Sequence, residues 1–240
     1  MKPLDGDQAA IRRQSRIAGF WYLVLAVLSP LNLVFVPGAL VKGGDAAATA
    51  AAIAGAERLF RLGMVTGIAG QIAFLVAGLA FYDLFKAVDK RQGRILLILV
   101  IASVPVAVFN AINQAAVLLI ADGAGYLEAF TRPQRDAAIL FFLKLTESGF
   151  HIAGFFWGLW LLPLGVLTLK SAYFPRLFGI LLLVGAGGYT VNSTVVFLFP
   201  EFVAPLAPAI TIAQMISEIP FLLWLLIRGA RPRPTVGRTA

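Results

Sequence analysis

Six stretches of the chain are apolar almost without interruption: residues 17–40, 62–85, 95–121, 148–169, 177–199 and 206–227. A hydrocarbon core about 30 Å thick is crossed by about 20 helical residues at about 1.5 Å rise each, and every stretch meets that length. Inside lipid the backbone must satisfy its own hydrogen bonds, as a helix or as a closed barrel. Barrel strands alternate polar and apolar residues over about 10 positions. These runs are continuous in Leu, Ala, Val, Ile and Phe, so the pattern predicts helices. The expected fold class is all-α, a polytopic membrane helical bundle with six transmembrane helices and a short outer-surface helix. One domain is expected over residues 1–230, with residues 231–240 a disordered cytoplasmic tail.

The short helix comes from the first of two longer connections. Gly43-Gly44 breaks the first span, and Asp45 is a good N-cap for an Ala-rich helix from Ala46 to Phe60. That segment is too weakly hydrophobic to span and should lie on the outer surface. The second connection runs from Asp122 to Glu147; Gly123 and Gly125 end the third span, and Pro133 suits the first turn of a new helix. No strong breaker follows until Pro163, so a helix over 133–169 is expected, about 55 Å long. Its start should stand outside the bilayer, with a kink near Ser148–Gly149. There Ile139, Leu140, Phe142 and Leu143 need cover, which the 46–60 helix would supply.

Composition agrees: 60% of residues are hydrophobic and 13% charged, where a soluble domain carries about 25% charged. The net charge of +8 would suit a nucleic-acid binder, yet the basic residues sit at span ends and form no patch, so no nucleic-acid partner is expected. Their distribution sets the topology. Fourteen Lys and Arg lie at the termini and even-numbered connections, against six (Lys42, Arg58, Arg61, Arg132, Arg135, Lys144) at the odd-numbered ones. The positive-inside rule then puts both termini in the cytoplasm. Trp21, Tyr22, Tyr82, Tyr173 and Trp224 fall near the cytoplasmic span ends and read as an interfacial belt. The first apolar run is longer than a signal-peptide core and reads as a retained span. No cysteine is present, which removes disulfides, thiolate metal sites and cysteine catalysis. A single histidine excludes a bis-histidine haem. The Gly-rich piece Gly185–Gly188 lies within a span and lacks a phosphate-binding Lys. No cofactor is expected, and no internal repeat points to an inverted-repeat transporter.

Candidate chemistry lies with the polar residues inside the spans, where ionisable groups are costly and face the interior. Thr211, Gln214 and Glu218 share a face of the last span, with Glu218 near the midplane; Pro220 frees the carbonyl of Ile216 beside it. On the fourth helix Lys144, Glu147, His151, Gly154 and Gly158 line up. One His with two Glu could hold a metal, but a zinc site normally uses more His or Cys than this chain owns, and a structural His151, hydrogen-bonded to Glu147 or to a facing amide just inside the outer surface, is the preferred reading. Gly154 and Gly158 suit close helix packing. The third span contributes Asn110, Asn113 and Gln114, the fifth Asn192, Ser193 and Thr194, the first Asn32 and the second Gln71. By the charge-derived topology most of these lie between the midplane and the outer surface. The expected site is an outward-opening polar cavity that ends at Glu218 and is lined by Gln214, His151, Glu147, Asn110, Asn113, Gln114, Asn192 and Gln71.

Three functions fit: a non-enzymatic small-molecule binding or transport protein, an accessory membrane subunit in which these groups only join helices, or a membrane enzyme acting on lipid at the outer leaflet. The expected partners are membrane lipid and a small-molecule ligand.

Several segments also resemble a known family. They are Gly44–Ala50, Glu57–Gly63, Gly123–Leu127, Ser171–Leu181 (Ser-Ala-Tyr-Phe-Pro-Arg-Leu-Phe-Gly-Ile-Leu) with Gly185–Tyr189, and Glu218 with Leu223–Leu226. Together they are similar to a family of bacterial multi-pass membrane proteins known as domain of unknown function 4386. The resemblance implies a bacterial plasma-membrane protein and implies no particular chemistry.

Overall fold

The structure, a computed structural model, describes residues 4–123 and 125–231; all but Arg231 of the tail expected from residue 231 lies outside the described residues. Among the described residues no strand occurs. Helices α1 (Leu4–Pro30), α2 (Val36–Leu40), α3 (Ala46–Gly55), α4 (Glu57–Phe85), α5 (Lys90–Ala121), α6 (Arg132–Leu159), α7 (Leu161–Ser171), α8 (Arg176–Leu198) and α9 (Val203–Ile227) follow in order. Six stretches are long and apolar enough to cross a membrane: Gln8–Leu40, Glu57–Phe85, Lys90–Ala121, Arg132–Ser171, Arg176–Leu198 and Pro200–Ile227. The six expected spans are therefore present, and α3 is too short to be a seventh. Large apolar side chains such as Ile98, Phe109 and Leu198 are exposed along them, as lipid contact requires.

The helix boundaries follow local chemistry. Gly43 and Gly44 take positive φ (51° and 91°) and turn the chain after α2, a conformation glycine adopts without strain. The Asp45 side chain caps α3 by accepting from the Ala48 N–H at 2.9 Å. The expected 46–60 helix is corrected in extent: Ala56 leaves the helical region at φ −136° and Glu57 opens α4. At the start of α6 the Gln134 side chain reaches back to Thr131, its Oε1 accepting from the Thr131 N–H at 2.8 Å and from the Thr131 hydroxyl at 3.0 Å, one half of a capping box.

Two spans are less regular than a uniform helix. After Pro30 the first widens into a π turn over Leu31–Phe35, where the Val36 N–H bonds the Leu31 carbonyl five residues back; Pro37 has no N–H to donate at all. The fourth breaks at Trp160, between α6 and α7, and not near Ser148–Gly149 as expected. Pro163 explains the position, because its ring crowds the carbonyl four residues earlier, on Leu159.

The chain forms two compact units, each with its own core. One comprises Val24–Phe74 and Ser103–Ala153; the other comprises the chain up to Leu23, Leu75–Ala102 and the chain from Gly154. We call them the amide unit and the carboxylate unit. In the amide unit Val36, Leu40, Ala50, Ile53, Phe60, Val117, Leu118 and Ile139 are buried together, with Phe142 and Leu143 packed against them. Helix α3 thus covers the start of α6, as the apolar residues there required. In the carboxylate unit the core is aromatic. Phe81 lies 5.7 Å from Tyr22, 6.0 Å from Trp160 and 6.2 Å from Phe221, ring centre to ring centre.

Candidate functional site

The carboxylate unit brings two helices onto Glu218 of α9. Tyr22 of α1 donates its hydroxyl hydrogen to Oε2 of Glu218, and Tyr189 of α8 donates to Oε1 at 2.7 Å. Both carboxylate oxygens are therefore occupied by phenols. Tyr22 is only 2% exposed and meets the Trp160 ring edge-on at 5.7 Å. Beside Glu218, Ser217 is fully buried and donates to the Gln214 carbonyl at 2.7 Å. Gly185 of α8 leaves the room for it, since a Cβ there would meet the Ser217 side chain. Gln214 and Asn192 are half-buried, whereas Thr211 is exposed. Of the face expected for α9, the part from Gln214 to Glu218 is the part turned inward.

This arrangement has a definite proton chemistry. With Glu218 ionised, two O–H donors meet two carboxylate oxygens, the charge-assisted pairing that is strongest where water is scarce. Protonation adds a third hydrogen between the same three groups. The carboxyl then becomes a donor as well as an acceptor, and a phenol can take that hydrogen only by turning its own towards another acceptor. Gain of a proton therefore changes the hydrogen-bonding demand on tyrosines of two other helices.

The amide unit holds a different set. Asn110 Nδ2 donates to the Thr146 carbonyl at 2.6 Å, Asn113 Nδ2 to Asn110 Oδ1 at 3.0 Å, and Gln114 Nε2 to Asn32 Oδ1 at 2.7 Å. Asn32 belongs to the π turn and is buried. Two glycines make room: a Cβ on Gly149 would lie 2.5 Å from Asn110 Oδ1, and one on Gly67 would lie 2.8 Å from Asn32 Cγ. Gln71 is 7% exposed, and its Oε1 has no hydrogen-bond partner; neither does the buried Ser29 Oγ. Glu147 is exposed and pairs with Lys144 at 2.7 Å, and His151 is half-buried. Among the described residues no three of His, Cys, Asp and Glu gather as a metal ion would require.

The sequence reading singled out Glu218 and the amides but not the groups that hold Glu218. Tyr22 was expected in the interfacial belt; the structure buries it instead, with its hydroxyl on the carboxylate. Tyr189 stands in the sequence only as the end of a family-like segment, and nothing there marks Ser217. The available signal was a tyrosine mid-span on α8, four residues after Gly185, where a phenol needs a buried acceptor.

A sequence model of the family described as "Domain of unknown function (DUF4386)" matches residues 17–229. The chain belongs to the DUF4386 family. It is a multi-pass integral membrane protein. The part matched to DUF4386 includes Tyr22, Glu218, Tyr189 and every amide named above, whereas Arg12, Arg13 and Arg16 of α1 precede it. No curated protein and no solved structure matches the chain.

Proposed function

We propose that this DUF4386 member is a non-enzymatic binding or transport protein for a small molecule, seated in the bacterial plasma membrane with both termini cytoplasmic. Glu218 is its titratable group, at the inner end of an outward-opening polar cavity. The observation that carries the reading is a carboxylate in an apolar span, held by phenols from two other helices. A purely adhesive contact between helices needs no ionisable group, and placing one in lipid is expensive. The charge asymmetry of the connections and the even number of spans support the orientation. Of the amides expected to line the cavity, Asn110, Asn113 and Gln114 already spend donors on protein groups. Gln71 Oε1 has no such partner, and Gln214 and Asn192, both half-buried, are the expected lining amides in the same unit as Glu218.

Those same pairings favour a second reading, an accessory subunit in which the polar groups only hold helices. A carbodiimide separates the two, because it modifies protonated carboxyls that small molecules can reach from within a membrane. In the reconstituted protein Glu218 should be labelled, increasingly so as pH falls, and the Glu218→Gln variant should fold and insert but take no label at that position. Absence of label on Glu218 at every pH would mean a sealed structural contact and would leave the accessory reading standing.

A further inference from the structure

The structure assigns a binding site for the headgroup of an anionic phospholipid to the exposed face of α1, at Arg12, Arg13 and Arg16. These arginines line an open cradle of about 700 Å³ together with Gln8, Phe20 and Trp21, and no acidic residue is among the described side chains that line it. None of the three makes an ion pair among those found for the described residues. Guanidinium groups bind phosphate oxygens in pairs of parallel hydrogen bonds, and residues 8–21 carry three of them and no carboxylate.

The arrangement along the helix is that of an amphiphile's partner. Arg12, Arg16 and Phe20 follow at intervals of four and so share one face. The basic groups give way within one turn to Ile17 and Phe20, 41% and 53% exposed, which suits a phosphate above and an acyl chain below. A free phosphate would have no use for that apolar continuation. The opposite face of α1 is fixed. Ser15 and Ala18 are fully buried, Ser15 Oγ accepts from the Ala230 N–H at 2.9 Å, and Gly19 lies against Leu225, whose Cβ would be 2.9 Å from a Cβ on the glycine. The cradle is therefore held in place before any lipid arrives. Clusters of basic residues at span ends attract anionic lipid in general; the open cradle and the adjoining apolar stripe are what make this cluster a site.

The test uses the full-length protein in nanodiscs and a photoreactive phosphatidylglycerol, with phosphatidylcholine as the zwitterionic control. In the wild-type protein the adducts should map to residues 8–21, with phosphatidylglycerol favoured over phosphatidylcholine. Neutralising all three arginines (Arg12→Gln, Arg13→Gln, Arg16→Gln) should reduce that preference at least roughly tenfold. Arg91→Gln with Arg94→Gln, an equally exposed pair at the start of α5, should leave it intact. Equal losses from both sets, or adducts scattered over the basic connections, would mean a diffuse field and overturn the site. Competition by soluble glycerol phosphate as effective as by lipid would overturn the lipid as occupant. If the triple variant fails to insert, the wild-type adduct map decides alone. Glu218 takes no part in any of these outcomes.

Discussion

In the carboxylate unit an ionisable group is held by two phenols beside an aromatic core; in the amide unit neutral side chains are held by one another and by a backbone carbonyl. Both arrangements keep polar atoms from meeting lipid unpaired, which would cost several kcal/mol each. They differ in what a change of proton number does. The amides cannot titrate, so their geometry is the same at any physiological pH. The Glu218 cluster can gain a proton, and the new hydrogen changes what Tyr22 and Tyr189 are asked to donate or accept. A membrane protein can thus carry two polar interiors of which only one is capable of switching.

The comparison implies that the carboxylate unit depends on its aromatic frame. Phe81 is fully buried and touches Tyr22, Trp160 and Phe221. Phe81→Ala should cost about 3–5 kcal/mol, read as a fall in thermal or denaturant stability of the purified protein. Phe109→Ala in the amide unit, where the ring is 69% exposed, should cost far less. Similar losses for the two would break the distinction between a packed frame and a lipid-facing surface.

A sharper contrast comes from removing one hydroxyl. Tyr189→Phe takes a donor from Glu218, and hydrogen bonds to charged groups contribute about 1.5–3 kcal/mol. In a Glu218→Gln background the same change should cost only about 0.6 kcal/mol, the average for neutral pairs between membrane helices. The double-mutant cycle reads the difference directly. A cost that is the same in both backgrounds would show that Glu218 behaves as a neutral amide does.

How far these features were legible in the sequence depends on the kind of signal. The six spans were, because length and continuous apolarity are properties of the residues themselves. So were the Asp45 cap and the cover that α3 gives to Ile139. The end of α3 at Gly55, the π turn after Pro30 and the break at Trp160 were not. Proline marks where a backbone bond is lost, but packing decides whether the helix continues, widens or breaks, as Pro105 inside continuous α5 illustrates. Within the site, Glu218 and the amides stood out because polar residues are rare in spans. Tyr22 did not, since a tyrosine near a span end reads equally well as an interfacial anchor; only the tertiary contact shows which it is.

Within the amide unit the effects should be smaller and should follow who has a partner. Gln114→Leu removes a donor from Asn32 and should cost about 0.6 kcal/mol, with about 1.7 as an upper bound. Gln71→Leu removes an acceptor that already lacks a donor, so it should be neutral or stabilising. Stability curves for the two variants test this ordering. Should Gln71→Leu prove the more harmful, Gln71 has a bound water or ligand as its partner.

The smallest effect is expected at the ion pairs outside the two interiors. In the carboxylate unit Asp89, between α4 and α5, accepts from Lys170 Nζ at 2.7 Å and from the Gln92 N–H at 3.0 Å. The Lys170 hydrogen bond first, and the Gln92 N–H next, hold its carboxyl below the usual carboxylate range. The unfolded carboxyl therefore takes up protons at higher pH than the folded one. The stabilisation is complete above the unfolded value of about 3.9 and is lost as pH falls through the lower folded value. The melting temperature of the wild type should thus exceed that of Asp89→Asn by a constant margin near neutrality. That margin should shrink below about pH 4 and narrow in high salt, because the pair is partly exposed. In the amide unit Arg61 and Asp122 are 3.5 Å apart, each about half exposed, and Asp122→Asn should change stability less than Asp89→Asn at neutral pH. A margin for Asp89→Asn that grows as pH falls would reverse the sign required by a depressed carboxyl and would place the pair's contribution elsewhere than in its charge.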